Sequence, residues 1–264
     1  MDGIVWQLVS ELFPEVIIRN KKEQFLKMNV NGKIAVITGA SSGLGAALAK
    51  VLVAKAALVY GLSRNAKKLS AIENELGKNF IAVPIDISNE EKIAHWIKET
   101  FSGNRFPDIL INNAGAGYFA SIDSLPLERW QEMINTNLNG TFYITSRLVP
   151  LMKANKETCH IINIGSILGK TTRSESAAYS ATKYAMQGFS EALFKELRSY
   201  KIKVTCVNPG SIDTHFFEES GIHPHKNMMQ PKDVADLILH LIETPDNLLV
   251  DEITLRPLIP GAPA

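Results

Sequence analysis

Short apolar runs alternate with helical patterns along most of this chain, and this alternation constrains the fold more than any other feature. The first run is Ile34-Ala35-Val36-Ile37, and the later ones are similarly rich in valine, isoleucine and leucine. A strand that is covered on both faces is a continuous apolar run of this kind, whereas a half-exposed strand alternates apolar with polar residues. Strands that alternate with helices form a parallel sheet with helices on both faces.

The pattern divides the chain into strands and helices as follows. Strands are predicted at 31–37, 58–62, 80–87, 108–112, 160–164, 203–207 and 252–255. Helices are predicted at 46–58, 67–76, 90–101, 127–153 with a break near Gly140, 177–200 and 231–243. We therefore expect a single, doubly wound α/β domain over residues 31–264, built on a mostly parallel sheet of about seven strands.

Composition and charge exclude several classes of protein. The 264 residues include 28 Lys and Arg against 27 Asp and Glu, and a nucleic-acid-binding protein would show a strong basic excess. No run reaches the roughly 18 consecutive apolar residues that cross a membrane. Cys159 and Cys206 lie in apolar stretches, which predicts buried thiols in a reducing compartment. We therefore expect a cytoplasmic protein without stable membrane insertion.

Residues 1–30 precede the alternating pattern and are predicted to be an N-terminal extension. The apolar residues between Ile4 and Phe13 fit a short amphipathic helix that ends before Pro14. Three interpretations stay open for this segment. It is a helix packed on the domain or on a partner subunit, a membrane-surface contact, or a disordered extension that precedes an alternative start at Met28.

A glycine-rich turn separates the first strand from the first helix, and reads Thr38-Gly39-Ala40-Ser41-Ser42-Gly43-Leu44-Gly45. Glycines let the backbone turn tightly and approach a pyrophosphate, and the following helix N-terminus offers free N–H groups and a positive dipole end. The spacing differs from the common G-x-G-x-x-G fingerprint, but the flanking strand and helix are the context that such a site needs. The turn therefore predicts a dinucleotide site, with a turn that binds no ligand as the alternative.

The end of the second predicted strand bears on the choice between NADP(H) and NAD(H). An acidic residue at this place accepts the adenosine ribose hydroxyl and repels a 2′-phosphate. This chain has Ser63-Arg64 instead, followed by Lys67 and Lys68, and an arginine can pair with a phosphate through two hydrogen bonds. We predict NADP(H), with a solvated Arg64 and NAD(H) as the alternative.

Tyr179 and Lys183 are four residues apart in a predicted helix and therefore share one face. A tyrosine with its ordinary pKa near ~10 is a poor acid–base catalyst at neutral pH, but a nearby ammonium lowers that pKa. The pair can then protonate an alkoxide or deprotonate an alcohol. Polar segments also follow three strands, at the edge where open α/β sheets bind ligands: 112–115 (Asn-Asn-Ala-Gly), Ser166 and 208–210 (Asn-Pro-Gly).

Together these segments resemble the short-chain dehydrogenase/reductase family, in the family's order and over roughly residues 31–258. The resemblance implies a Rossmann-type fold and hydride transfer between a nicotinamide cofactor and a carbonyl or secondary alcohol. It implies that Tyr179 exchanges the proton, that Lys183 lowers the pKa of this tyrosine and holds the nicotinamide ribose, and that Ser166 hydrogen-bonds the substrate carbonyl. Gly165 departs from the family, which often has serine there.

The resemblance also assigns the remaining site residues. Asn137 matches the asparagine that holds a water in the family's proton relay, with Asn135 and Asn139 as competitors. Asp86 is expected to contact the adenine amino group. The expected cofactor contacts are Gly39, Ser41, Ser42, Gly43, Leu44, Gly45, Arg64, Asp86, Ile87, Asn113, Ala114, Gly115, Tyr179, Lys183, Pro209, Gly210, Ile212 and Thr214.

The segment after Thr214 is predicted to form a lid at about 213–230 over the nicotinamide, and its aromatic and methionine content predicts a moderately apolar, small carbonyl or alcohol substrate. Its histidines match no zinc-site spacing, so no metal is predicted. Arg173 and Glu175 either contact a polar group of the substrate or lie on the surface. Residues expected beside the lid are Tyr118, Phe119, Ile167 and Leu168.

Two further expectations concern assembly and activity. The resemblance implies a homodimer or homotetramer that associates through the predicted helices at 127–153 and 177–200. A protein with this fold can also be a catalytically silent regulator or scaffold that binds NADP(H) without turnover. The complete set of Ser166, Tyr179 and Lys183 argues against that alternative, because a sensor does not need proton-transfer chemistry.

Overall fold

A computed structural model describes residues 28–103, 105–216, 220 and 225–259, so the predicted N-terminal extension lies almost entirely outside the described residues. The strands are β1 (Ile34–Thr38), β2 (Leu58–Ser63), β3 (Phe80–Pro84), β4 (Ile109–Asn112), β5 (Cys159–Ile164), β6 (Ile202–Pro209) and β7 (Glu252–Leu255). The helices are α1 (Gly43–Ala54), α2 (Ala66–Leu76), α3 (Glu90–Thr100), α4 (Leu127–Ile134), α5 (Thr141–Ala154), α6 (Ala177–Leu197) and α7 (Pro231–Ile242).

The strands form one parallel sheet in the order β3-β2-β1-β4-β5-β6-β7, which confirms the predicted doubly wound α/β fold. β1 pairs with β2 on one side, with Ile34 opposite Leu58, and with β4 on the other, with Ala35 opposite Ile109. The chain therefore reverses its winding direction at β1. Ligands bind at such a switch point, in the crevice beyond the carboxyl ends of the strands.

Two apolar layers cover the two faces of the sheet. On one face Ile37 packs in a cluster with Leu48 of α1 and Ile238 of α7. On the other face Val36 packs in a cluster with Ile144 of α5. All five side chains are fully buried, and burying one such side chain stabilises the fold by about 1.5–3 kcal/mol. No helix in the described part of the chain combines the length and apolar composition needed to cross a membrane.

Three strands differ from the prediction by two or more residues at one end, namely β1, which begins at Ile34 rather than at 31, β3 and β6. β3 ends at Pro84 rather than at 87, because its neighbour β2 ends at Ser63. One more backbone bond, from Ile85 N to Ser63 O at 2.9 Å, follows the last paired residues. β6 extends to Pro209 because it pairs with strands on both sides, with β5 as far as Val207 and with β7 as far as Pro209.

The helix break predicted near Gly140 is an interruption of the α-helix, but the backbone stays helical through it. A π-helical segment, Asn135–Gly140, joins α4 to α5, and Gly140 has a helical φ of −62°. Glycine is required here for space rather than for conformation, since a Cβ at this position would lie 2.8 Å from the Ile87 side chain. Such π-helical turns are frequent at functional sites, and this one carries Asn137.

Candidate active site

A cleft of about 960 Å³ opens at the carboxyl ends of the strands, on both sides of the switch point. Of the predicted site residues, Gly45 and Asn137 are not in its lining and lie behind it. Those that line it are Gly39, Ser41, Ser42, Gly43, Leu44, Arg64, Asp86, Ile87, Asn113, Ala114, Gly115, Ser166, Tyr179, Lys183, Pro209, Gly210, Ile212 and Thr214. The fold therefore brings together, in one cleft, side chains from segments spread over most of the described chain.

The glycine-rich turn between β1 and α1 leaves room for a phosphate group. Gly39 and Gly43 have φ of 69° and 53°, in the left-handed region that favours glycine. A Cβ at Gly43 would lie 2.9 Å from Thr214 Cγ2 and would fill the gap between the turn and the chain beyond β6. The Ser42 side chain makes no capping bond and the first turn of α1 holds no acid, so its N–H groups are available to an anion. These features fit a dinucleotide pyrophosphate.

Asn113 ties this turn to the end of β4. Its side-chain Nδ2 donates to the carbonyls of Thr38 at 3.0 Å and Gly39 at 3.3 Å. The backbone amides of Asn113 and Ala114 both donate to Thr38 Oγ1 at 3.0 Å. These contacts leave no space for a side chain at Gly45, where a Cβ would overlap the Gly39 carbonyl oxygen and lie 2.6 Å from Asn113 Nδ2. Packing, rather than contact with a ligand, therefore requires the third glycine of the turn.

Replacing Gly45 with alanine is expected to destabilise the protein by about 1–3 kcal/mol, because the methyl group overpacks a backbone contact. Gly188 is the matched control. It lies on the exposed side of α6 with no atom within 4 Å of an added Cβ, so Gly188→Ala is expected to stabilise the helix by about 0.5–1 kcal/mol. Thermal unfolding of the two variants measures both changes in stability. Equal melting temperatures would contradict the tight packing described for Gly45.

The adenosine end of the cleft is held by short polar contacts. Ser41 and Ser63 share a hydrogen bond of 2.8 Å between their hydroxyls, which links the glycine turn to the end of β2. Asp86 Oδ1 accepts from the backbone N of Ser88 at 2.9 Å and from its hydroxyl at 2.8 Å. These bonds fix the Asp86 carboxylate just beyond β3, where the sequence predicts the adenine contact.

Arg64 lines the same end of the cleft, and it has a partner that the sequence did not indicate. Its Nη1 lies 3.5 Å from Glu132 Oε1, across the cleft on α4, although the arginine side chain is 63% exposed. Burial raises the pKa of Glu132, but hydrogen bonds from Tyr118 and Arg129, with the charge of Arg64, outweigh this and lower it. A cofactor phosphate would therefore compete with an ionised carboxylate for the Arg64 guanidinium.

Ser166, Tyr179 and Lys183 meet at the centre of the cleft, where all three are buried. Ser166 follows β5, and the other two lie on the first turns of α6. Lys183 Nζ donates to the Ile164 carbonyl at 2.9 Å and lies 5.6 Å from the centre of the Tyr179 ring. Gly165 is a glycine because a Cβ there would overlap the side chain of Asn208.

Burial shifts the pKa values of Tyr179 and Lys183 in opposite directions. It raises the pKa of Tyr179 to about 12, and a hydrogen bond with Ser166 offsets only part of that rise. It also lowers the pKa of Lys183 to about 8. The sequence suggested that Lys183 lowers the pKa of the tyrosine, but in this structure burial raises it. Tyr179 is therefore fully protonated at neutral pH, which suits a proton donor.

Asn137 is distinguished from its two neighbouring asparagines by burial. Its Oδ1 accepts from Ala116 N at 2.8 Å, and its Nδ2 donates to Ala116 O at 2.9 Å and to Thr182 Oγ1 at 3.0 Å. Asn139 instead donates to Asn135 at 2.9 Å, outside the site. Asn137 therefore positions the loop after β4 against α6. The water contact expected for it stays a prediction.

Aromatic rings form the substrate end of the cleft. The Tyr179 ring centre lies 5.2 Å from that of Phe119 and 5.7 Å from that of Phe216. Phe119, Ile167 and Leu168 line the cleft as the sequence suggested. Tyr118, also expected here, does not line the cleft, and its hydroxyl donates to Glu132 at 2.9 Å. Of the predicted lid, the described residues are Asp213 to Phe216, Ser220 and 225–230.

A family comparison agrees with this geometry. The profile of the short chain dehydrogenase family matches residues 33–224. The chain belongs to the short-chain dehydrogenase family. An uncharacterized oxidoreductase of Staphylococcus aureus (strain USA300) is 36% identical over 231 residues, covering 86% of this chain and 97% of its own. An uncharacterized oxidoreductase of Staphylococcus saprophyticus is 32% identical over 235 residues, covering 88% and 100%. The protein is accordingly an oxidoreductase of this family.

Solved structures of the family share the fold. A 3-ketoacyl-(acyl-carrier-protein) reductase from Brucella melitensis, complexed with NADH, matches with a TM-score of 0.80 and 28% identity, over 87% of this chain and 98% of its own. Serine dehydrogenase complexed with NADP⁺ matches with a TM-score of 0.79 and 26% identity, over 84% and 93%. A metagenomic short-chain oxidoreductase in complex with NADP matches with a TM-score of 0.76 and 30% identity, over 88% and 100%.

Proposed function

We propose that this protein is an NADP(H)-dependent reductase of small carbonyl compounds, which also oxidises the corresponding secondary alcohols. The observation that carries the proposal is the meeting of Ser166, Tyr179 and Lys183, all buried, in the cleft that the glycine turn also borders. Few other functions would require a buried tyrosine and a buried lysine side by side at the binding edge of a parallel sheet.

In the proposed mechanism the protein positions the substrate oxygen and moves its proton. The nicotinamide cofactor, when bound, supplies or accepts the hydride. The hydroxyls of Ser166 and Tyr179 hydrogen-bond the carbonyl oxygen, and Tyr179 donates its proton as negative charge develops on that oxygen. The protonated state of Tyr179 at neutral pH supports reduction. Lys183, held by the Ile164 carbonyl, keeps a cation beside the ring and would hold the nicotinamide ribose.

The proposed preference for NADP(H) rests on charge at the adenosine end. Arg64 and Lys68 line the cleft beyond β2, and the chain has no carboxylate between Tyr60 and Ala71 to repel a 2′-phosphate. Glu132 on α4 is the acid that a bound phosphate would displace from Arg64. Asp86 is the one acid among the described residues that line the cleft, and it follows β3. The solved relatives include complexes with both cofactors, so this preference is argued from the side chains of this chain alone.

The experiment that tests the function is oxidation of NADPH and of NADH, followed at ~340 nm, against a mixed panel of aldehydes, ketones and 3-oxoacyl thioesters. We expect turnover with NADPH that clearly exceeds turnover with NADH. Saturable NADPH binding without turnover across the panel would instead favour the silent regulator or scaffold. Faster turnover with NADH would overturn the cofactor assignment and leave the reaction class standing.

We also propose a homodimer or homotetramer, working in the cytoplasm, that associates through the helices α4 to α6. Large apolar side chains are exposed on these helices, among them Leu127, Trp130, Phe142 and Tyr184. Exposed large apolar side chains on successive helices are typical of an interaction surface. Light scattering coupled to size-exclusion chromatography should give a dimer or tetramer mass, and replacing Leu127 and Phe142 with lysine should shift it to that of a monomer. A monomeric wild-type protein would contradict the proposal.

A further inference from the structure

Arg173 has a fixed position between Ser166 and the start of α6. Its backbone N donates to Ser176 Oγ at 3.2 Å, and that hydroxyl donates back to the Arg173 carbonyl at 2.7 Å. Ser176 is fully buried. Two residues on, the Glu175 carbonyl accepts from Ala120 N at 3.0 Å, which ties this loop to the chain beside Phe119. The backbone at Arg173 is therefore anchored to Ser176, and its loop to the chain beside Phe119.

The Arg173 side chain reaches the substrate end of the cleft. Its guanidinium carbon lies 4.8 Å from the centre of the Phe119 ring, and that ring lies 5.2 Å from the Tyr179 ring. The guanidinium is thus within about 10 Å of the catalytic ring and separated from it by a single aromatic side chain. Stacking on Phe119 occupies the flat face of the guanidinium, while its N–H groups point outward in the guanidinium plane and can bind a ligand.

The charge of Arg173 has no carboxylate partner among the described residues, although its guanidinium stacks on Phe119. The other lysines and arginines that line the cleft have positions that explain them: Arg64 and Lys68 are at the adenosine end, and Lys183 donates to the Ile164 carbonyl. The ion pairs formed between described residues do not include Arg173. An arginine that stacks on an aromatic ring and lines a binding cleft can bind a carboxylate through its N–H groups.

We propose that Arg173 binds a carboxylate of the substrate, so that the protein reduces oxo acids whose carbonyl and carboxylate are separated by an apolar chain. This inference rests on the proposed function. The apolar chain would lie along Phe119 and Phe216, with the carbonyl at Tyr179 and the carboxylate at the guanidinium. The carbonyl carbon gains a hydride from the reduced nicotinamide and its oxygen gains the Tyr179 proton, so the ketone becomes an alcohol and the nicotinamide is oxidised. The carboxylate takes no part in the redox change.

The test compares charged and neutral substrates of the same shape. The probes are levulinate and its longer methyl-ketone homologues, each paired with its methyl ester. For the best chain length we expect kcat/KM with NADPH to be about 10- to 100-fold higher for the acid than for the ester, the range of a charge-assisted hydrogen bond pair. Arg173→Gln should abolish this preference, chiefly through KM for the acid, and Arg173→Lys should retain part of it because the charge remains.

A matched control lies at the other end of α6. Arg198 also stacks on an aromatic ring, with its guanidinium carbon 5.7 Å from the Phe194 ring centre, but it lies outside the cleft. Arg198→Gln should leave the acid-to-ester ratio at its wild-type value. A wild-type protein that treats acid and ester alike, or an Arg173→Gln variant that keeps the preference, would overturn the proposal.

Calorimetry separates failure of this inference from failure of the proposed function. The same ketones are titrated into protein saturated with NADP⁺, which cannot reduce them, so binding is measured without turnover. Tighter binding of the acid than of the ester, lost in Arg173→Gln, would support the carboxylate site even in a protein that reduces none of the probes. Equal binding of acid and ester would reject the site whether or not the protein is an active reductase.

Discussion

Replacing Tyr179 with phenylalanine is expected to lower kcat for carbonyl reduction by about 1,000-fold or more, within the range that a positioned general acid contributes. The substitution removes the hydroxyl and keeps the ring, which packs between Phe119 and Phe216 at centre distances of 5.2 and 5.7 Å. The cleft should therefore keep its shape, and NADPH should still bind. Steady-state kinetics at saturating NADPH, with a fluorescence titration of NADPH, measure the two effects separately.

The chain offers a matched control for this substitution on the same helix. Tyr184 follows Lys183 directly, but its side chain is 46% exposed and points away from the cleft lining. Tyr184→Phe should leave kcat within about two-fold of the wild type, because it keeps the aromatic ring and removes only a hydroxyl that does not line the cleft. Undiminished turnover in Tyr179→Phe would remove the tyrosine from the mechanism and, with it, the main support for the proposed chemistry.

The pH dependence of the two reaction directions should differ in sign. Because burial raises the pKa of Tyr179 to about 12, the tyrosine remains a proton donor throughout the neutral and alkaline range, and reduction gains nothing from a higher pH. Alcohol oxidation needs the phenolate as a base, and the phenolate fraction grows with pH toward that value. The ratio of oxidation to reduction rates should therefore rise with pH, and a ratio that stays constant or falls across the alkaline range would contradict the assignment.

The parts of the site that depend on local pattern could be predicted from the sequence. Strand ends of a parallel sheet meet at one edge, so a motif placed after a strand is placed in the cleft as soon as the strand is identified. Gly39, Asn113 and Ser166 reach the cleft for this reason. The choice of Asn137 over its neighbours needed one further fact, the helical phase that turns it toward Thr182.

The parts that depend on distant contacts could not be predicted. The direction of the Tyr179 pKa shift follows from burial beneath side chains far away in the sequence, such as Phe119 and Phe216, which no local pattern reveals. The continuity of the helix at Gly140 was missed because glycine lowers helix propensity, whereas here the close approach of Ile87 selects it. Tertiary packing decided both outcomes.

Arg64→Ala is expected to raise KM for NADPH about 30- to 150-fold more than KM for NADH, which corresponds to the roughly 2–3 kcal/mol of a bidentate contact with phosphate. Arg64 lines the adenosine end of the cleft, and only NADPH carries a phosphate for it to contact. Lys67→Ala is the matched control, because Lys67 is an exposed cation in the same segment that does not line the cleft. It should alter the two KM values equally and slightly.

Glu132 allows the phosphate contact to be separated from a structural ion pair. Its Oε1 lies 3.5 Å from Arg64 Nη1, so Arg64→Ala breaks this pair as well. Glu132→Gln also breaks the pair but leaves the guanidinium free for phosphate and removes a competing negative charge, so it should lower KM for NADPH by about two- to five-fold and leave KM for NADH unchanged. If Arg64 served only to hold α4, the two substitutions would reduce stability alike and neither would move the NADPH-to-NADH ratio. Opposite shifts of the NADPH-to-NADH ratio of KM values in the two variants would identify Arg64 as the residue that binds the cofactor phosphate.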